Sequence, residues 1–320
     1  MKILVTGAAG FIGFHLASRL LGRGDEVCGV DNLNDYYDVA LKQGRLNLLK
    51  QYKNFQFIPM ELADASAVQN LFQQHSFDRV VHLAAQAGVR FSVTNPQTYI
   101  QSNLVGFANI LEGCRHAKPS IQQLIYASSS SVYGLNAKTP FHVEDNTDHP
   151  ISLYGATKKA NELMAHAYSH LYHLPVTGLR FFTVYGPWGR PDMAYYKFTR
   201  AIFNGEPIEV YQEGRLRRDF TYIEDVISSV VGIVDGDPGN ALCRLYNIGH
   251  HHPIEVNTLI ECLEKAIGKK AILRFLPMQP GDMRETHADV SELKRDFGFV
   301  PTTSIEEGLG KFVAWYQKYC

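Results

Sequence analysis

The chain has 320 residues, 45% hydrophobic and 20% charged, with a formal net charge of −1. That is the balance of an ordinary globular protein, and it offers no bulk electrostatic attraction for nucleic acid or an anionic membrane. Five scattered cysteines with no C-x-x-C pair argue against a disulfide framework or a zinc ribbon. There is no apolar run long enough to span a bilayer, and Met1 to Thr6 leads directly into a strand pattern rather than a secretory leader. A cytoplasmic enzyme-like chain is therefore expected, without internal repeats.

The elements follow in order. Lys2-Ile-Leu-Val-Thr6 reads as a buried parallel strand. Gly7-Ala-Ala-Gly10-Phe-Ile-Gly13 then opens a helix, and Glu26 to Val30 forms a second strand ending at Asp31. Strand, glycine turn, helix, strand and acid, with Gly13 and Asp31 close to the roughly 20-residue separation of a dinucleotide fold, point to nucleotide binding. Gly7 permits the tight turn, Gly10 the approach of backbone N–H groups to a diphosphate, and Gly13 the packing of helix on strand. Asp31 can accept from both ribose hydroxyls and would repel a 2′-phosphate. Asn32 follows it where an arginine would welcome NADP, so the cofactor expected is NAD.

Strand and helix alternation continues. Strands are predicted at 56–59, 79–84, 123–127, 176–181 and 244–248, with helices at 64–74, 96–117 and from about Tyr154 to Tyr172. Such a series folds as an α/β, Rossmann-type, doubly wound parallel sheet whose ligands bind at the carboxyl ends of the strands. Four serines, Ser128 to Ser131, fall at one such end and Thr183 at another. After Pro187 the texture becomes loop-rich, which suggests a smaller C-terminal substrate-binding region. The division is discontinuous: residues 1–183 and 219–249 for the nucleotide-binding part, 184–218 and 250–320 for the other.

Tyr154 and Lys158 are four apart at the start of a helix, so their side chains share one face. A phenol ordinarily ionises near pH 10, and a fixed ammonium beside it favours the phenolate, making the pair a usable general base. Arg90 and Arg218 suit phosphate through the planar donor fork, with Gln279 and Asp282 as further candidates for substrate contact. The triplet His250-His251-His252 reads as a solvated loop, and no metal is expected.

Taken together, the glycine turn, Ser129-Ser-Ser-Val-Tyr-Gly134, Tyr154-x-x-x-Lys158 and Arg218-Asp219-Phe-Thr-Tyr222 resemble the extended short-chain dehydrogenase/reductases over nearly the whole chain. Within them, His82 to Arg90, Phe181 to Arg190 and Met278 to Asp282 resemble the UDP-glucuronate 4-epimerases. The resemblance implies NAD-dependent interconversion of UDP-glucuronate and UDP-galacturonate through a 4-keto sugar. It implies Tyr154, Lys158 and Ser129 as catalytic groups. It also implies a cofactor shell of Phe11, Ile12, Asn32, Glu61, Leu62, Leu83, Ala84, Ala85, Gln86 and Asn103, beside Gly7, Gly10, Gly13, Asp31, Tyr154 and Lys158. Glu61 stands where the family commonly has Asp.

A keto group at carbon 4 lies β to the uronate carboxylate, which threatens loss of carbon dioxide. Ser130, Ser131, Thr183 and Arg190 are the candidates to hold that carboxylate, while Ser130 and Ser131 replace the acids that related dehydratases and decarboxylases carry. Alternatives remain: an epimerase of UDP-glucose or another neutral nucleotide sugar, a net dehydrogenase or reductase, and a non-catalytic NAD-binding scaffold. Similar proteins form homodimers through the helices at 96–117 and 154–172, so a homodimer is expected; Leu111 and Leu163 are apolar residues there that either a dimer contact or core packing would use.

Overall fold

The computed structural model describes residues 1–237, 242–277 and 283–319. Seven strands form one parallel sheet: β1 (Lys2–Thr6), β2 (Glu26–Asp31), β3 (Phe55–Pro59), β4 (Arg79–His82), β5 (Gln123–Ser129), β6 (Val176–Phe181) and β11 (Cys243–Ile248). Their order is β11-β6-β5-β4-β1-β2-β3, so the chain reverses direction across the sheet between β1 and β4. That reversal opens a crevice at the carboxyl ends of the strands.

Successive residues of each strand point to opposite faces, and both faces are covered. Ile3 and Val5 of β1, Val81 of β4 and Ile125 of β5 join the core on one side. That core is closed by α1 (Phe11–Gly22), α2 (Val39–Leu49), α9 (Ile223–Asp235) and α12 (Ile305–Tyr319). Leu4, Val80, Leu124 and Tyr126 face the other way, onto α3 (Ala65–Gln74), α6 (Gly106–His116) and α7 (Leu153–Tyr172). Leu111 is fully buried in this second core, so it is a packing residue and not an exposed dimer contact. Leu163, by contrast, is 59% exposed.

The helix expected at 96–117 is divided. A turn at α5 (Pro96–Tyr99), preceded by α4 (Phe91–Thr94), passes through a π-helical segment at Ile100–Val105 before α6. Strand β5 runs two residues beyond its expected end and carries Ser128 and Ser129 in extended backbone, followed by a 3₁₀ turn at Ser130–Tyr133.

The region after Pro187 is not predominantly loop. It holds α8 (Ala194–Asn204), α10 (Val256–Ile267), α11 (Ser291–Phe297) and α12, and it contributes to three two-stranded pairings, the first of which has one strand just before Pro187. These are β7 (Thr183–Tyr185) with β10 (Phe220–Tyr222), β8 (Pro207–Tyr211) with β13 (Ile272–Leu276), and β9 (Arg217–Arg218) with β12 (Ile254–Glu255). The Pro and Gly punctuation of the sequence marks the ends of these elements and hides the helical periodicity between them. Tyr195 and Ile202 of α8, Leu259 of α10 and Phe312 of α12 share one core with β1 and α1, so apolar packing runs unbroken from the sheet into this region.

Candidate active site

One groove of about 810 Å³ runs along the strand ends from the glycine turn to the segment around Arg218. At its first end Gly7 has φ +72°, a backbone region costly for other residues. A Cβ on Gly13 would lie 2.0 Å from the Gly7 carbonyl oxygen, so only glycine lets α1 start this close to β1. No side chain caps the α1 N-terminus at Gly10. Its first N–H groups therefore face the groove with the positive end of the helix dipole, where a diphosphate is favoured. Asp31, at the end of β2, is buried, and its carboxylate accepts from the Ala9 and Leu33 N–H groups at 3.1 and 2.9 Å. Asn32 donates to Glu61 at 2.8 Å, which joins two residues of the expected cofactor shell. This constellation fits a dinucleotide.

The floor is built from β4 and β5. Thr6 and His82 are hydrogen-bonded at 2.9 Å, and Ala84 N donates to the Thr6 hydroxyl at 3.2 Å. Burial depresses the His82 ring to about 3, with a smaller contribution from Lys158, so this histidine stays neutral. Leu83, Ala84, Ala85 and Gln86 line the groove, as do Phe11, Ile12 and Leu62. Asn103 is the exception among the expected cofactor residues. It is 1% exposed and does not line the groove. Its amide instead accepts from Gln86 N at 2.8 Å and donates to Gln86 O and Thr157 Oγ1, both at 3.0 Å. Asn103 thus ties the loop after β4 to α7 from behind, and the π turn that carries it is what aims it there.

Helix α7 begins at a conventional cap: the Ser152 hydroxyl accepts from Gly155 N at 3.0 Å. Its first turns bring Tyr154 and Lys158 to the groove opposite the end of β5. Lys158 is 2% exposed and donates to the Ala127 carbonyl at 2.8 Å. Burial lowers its ammonium to about 7. Burial also raises the Tyr154 phenol above its ordinary value, against the opposing influence of a Ser129 hydrogen bond and the Arg190 charge. The acidifying neighbours in this geometry are therefore Ser129 and Arg190. The direct help expected from Lys158 is weakened because burial has already cost that lysine much of its charge near neutrality. Ser129 itself donates to Ser131 Oγ at 3.2 Å and accepts from Ser131 N, which fixes the serine turn.

Ser130, Ser131, Thr183, Arg90 and Arg218 all line the groove with Arg190. Thr183 N donates to the Asp219 carbonyl at 3.1 Å. The Asp219 carboxylate is fully buried and accepts from the N–H groups of His250, His251 and Ala288. The Arg218-Asp219 motif thus couples a groove residue to a structural anchor, and the backbone of the histidine triplet serves that anchor. No cluster of metal ligands occurs among the described residues. Gln279 and Asp282 lie outside the described residues.

Arg190 has a partner that the sequence reading missed. Its Nε donates to Asp192 Oδ1 at 3.0 Å and a terminal N–H to Asp192 Oδ2 at 2.6 Å, a bidentate fork. Tyr36 donates to the same carboxylate at 3.1 Å. One edge of Arg190 is therefore held within the protein. Tyr36 and Lys42 also line the groove. The Asp two residues beyond Arg190 and the Asp38 cap of α2 were the available signals for these groups.

Fold and site together define an extended short-chain dehydrogenase/reductase. Residues 4–312 match the sequence model of the GDP-mannose 4,6 dehydratase family, and the chain belongs to it. A Staphylococcus aureus protein called CapI is 52% identical, covering 100% of this chain and 99% of its own length. UDP-glucuronate 4-epimerase 1 of Arabidopsis thaliana is 48% identical over 100% of this chain and 77% of its own. The crystal structure of UDP-glucuronic acid 4-epimerase from Bacillus cereus, with UDP-glucuronic acid and NAD, superposes with a TM-score of 0.93 at 36% identity, covering 100% of both chains.

The buried lysine yields a pH prediction. Its folded value lies below its unfolded one, near 10.4, so between pH 7 and 9 the unfolded chain binds the proton and the folded chain does not. Stability of the unliganded protein should therefore rise with pH in that window, by on the order of a few kcal/mol. In Lys158→Met the rise should flatten, as urea unfolding at several pH values would reveal. An unchanged slope would mean that Lys158 is not the group responsible.

Proposed function

We propose that this chain is an NAD-dependent UDP-glucuronate 4-epimerase that interconverts UDP-glucuronate and UDP-galacturonate. The observation that carries the reading is the meeting of Tyr154, Lys158 and Ser129 on one wall of a groove continuous with a diphosphate-binding turn. The likeness to a uronate epimerase over its whole length adds the substrate class.

NAD, when bound, supplies hydride acceptance and return at sugar carbon 4. The chain's own groups supply position and proton handling. Gly7, Gly10 and Gly13 and the α1 N-terminus hold the diphosphate of the cofactor, and Asp31 its ribose. Tyr154 Oη removes the proton of the sugar 4-hydroxyl and later restores it. Ser129 bonds the reacting oxygen and, with Arg190, favours the phenolate. Lys158, fixed to Ala127, lies one turn along α7 and orients the nicotinamide ribose.

Epimerisation requires the 4-keto sugar to turn about its diphosphate and present the other face to the same Tyr154. While it turns, the β-keto acid must not lose its carboxylate. Ser130, Ser131, Thr183 and the remaining edge of Arg190 hold that carboxylate, with Arg90 and Arg218 toward the UDP. Neither Ser130 nor Ser131 can shuttle the proton that elimination needs, which favours simple epimerisation. The division into residues 1–183 with 219–249 and 184–218 with 250–320 matches these tasks: the first set carries every strand of the large sheet, and the second carries Arg190 and Arg218.

Leu163 and Leu171 of α7 are 59% and 63% exposed and point about a quarter turn apart around the helix, about two turns apart along it. They support a homodimer through α7. Unpaired thiols at Cys28, Cys114, Cys243 and Cys262 support residence in the reducing cytoplasm.

Two experiments test these readings. Purified protein incubated with UDP-glucuronate and no added cofactor should form UDP-galacturonate by proton NMR, and Tyr154→Phe should cut kcat by about 10²–10⁴-fold with NAD still bound. A pentose product, or faster turnover of UDP-glucose, would overturn the assignment. In sedimentation, the native chain should run as a dimer and Leu163→Glu as a monomer; a monomeric native protein would exclude the interface.

A further inference from the structure

Arg45 of α2 is fully buried, yet it lines no part of the groove. Its guanidinium joins two loops that are far apart in sequence. One terminal nitrogen donates to the Ala9 carbonyl at 2.8 Å and to Tyr37 Oη at 2.7 Å. The other donates to the carbonyls of Trp188 at 2.6 Å and Gly189 at 3.3 Å. Ala9 belongs to the glycine turn, and its N–H is held by Asp31. Trp188 and Gly189 immediately precede Arg190 and Asp192. One side chain therefore grips the nucleotide-binding turn and the arm that carries the substrate-facing arginine.

Two further features give this contact its meaning. Trp188 has φ +60°, a left-handed conformation that a bulky side chain adopts only when its surroundings enforce it. The enforcement comes from Arg45 on its carbonyl and from ring contacts with Phe14, Trp315 and Tyr319. In addition, no carboxylate lies within ion-pair distance of Arg45 among the described residues, and its Nε is buried without a partner. A buried cation whose hydrogen bonds go only to neutral oxygens, with the Tyr37 ring 5.6 Å from it as its remaining partner, is incompletely offset, and an anion nearby relieves it. The glycine turn beside it is shaped to take one.

We infer that Arg45 is a positioning residue that couples occupancy of the glycine turn to the rigidity of the Trp188–Asp192 arm. The diphosphate of NAD supplies the missing counter-charge, tightens the hold on Ala9 and the Trp188 carbonyl, and so sets Arg190 for the sugar. The coupling rests on the NAD reading given above. It is also reciprocal: whatever steadies the arm strengthens cofactor retention by the same factor.

Hydrogen exchange with mass spectrometry, on full-length protein stripped of nucleotide and then given NAD, tests this. In the native chain NAD should slow exchange both in the glycine-turn peptide and, by about tenfold, in the peptide spanning Trp188 to Asp192. In Arg45→Lys, which keeps the charge and loses the fork, the turn should still be protected and the arm should not. Tyr37→Phe, which removes one acceptor and leaves the core intact, should give an intermediate loss and covers the case in which Arg45→Lys does not fold. Equal protection of the arm in native and variant proteins overturns the coupling. Absence of protection at the glycine turn in the native protein overturns the NAD reading itself, and the coupling falls with it.

Discussion

The site depends on one buried hydrogen bond, from the Lys158 ammonium to the Ala127 carbonyl. It fixes the start of α7 against the end of β5, and from that follows the approach of Tyr154 to Ser129. Burying an amine there is unfavourable, and the depressed lysine records that cost. The arrangement persists because the surrounding structure is over-determined. Ser152 caps the helix, Asn103 bonds Thr157, and Asn161 donates to the Asn103 carbonyl at 2.7 Å. One turn further along, Glu162 accepts from Ser128 at 2.6 Å and from the Nε and a terminal N–H of Arg180 at 2.8 and 2.9 Å. Strands β5 and β6 and helix α7 are thus joined by buried polar contacts as well as by apolar packing.

The groove uses charge differently at its two ends. At the nucleotide end, backbone N–H groups and the α1 dipole offer diffuse positive potential, with Arg45 beneath the turn. At the sugar end, the charge is concentrated on Arg190 and partly balanced by Asp192; burial, the largest single influence, raises that carboxyl, but the Arg190 charge and hydrogen bond, with the bonds from Tyr36 and the backbone, together hold it below its ordinary value. The Tyr36 phenol completes this group, raised to about 12 chiefly by burial and by Asp192. The proposed function places a diphosphate and a carboxylate in one cleft and needs the two anions kept apart, a need that these separate arrangements would meet.

Much of the fold was legible because a parallel sheet is buried on both faces. Its strands read as short apolar runs, and the glycine turn states its geometry in residue types that nothing else replaces. The Tyr154–Lys158 pair was legible because helical spacing is local. What escaped was decided by contacts distant in sequence. Arg190 reads as a free fork until Asp192 and Tyr36 are seen around it. Asn103 belongs by resemblance to a position that supports the site from behind, but its partners, Gln86 and Thr157, are set by a π turn that has no sequence signature. Arg45 lies in α2, a helix whose apolar stripe is too weak to attract notice and whose importance comes from carbonyls at positions 9, 188 and 189. The helices of the second region were obscured by the prolines and glycines that end them.

The central claim is that Tyr154 serves both faces of a sugar whose carbon-4 hydrogen never leaves the site. Turnover of UDP-glucuronate deuterated at carbon 4, in ordinary water, tests it most directly. The account predicts UDP-galacturonate that retains the deuterium at carbon 4. Product carrying solvent hydrogen at that carbon would contradict it.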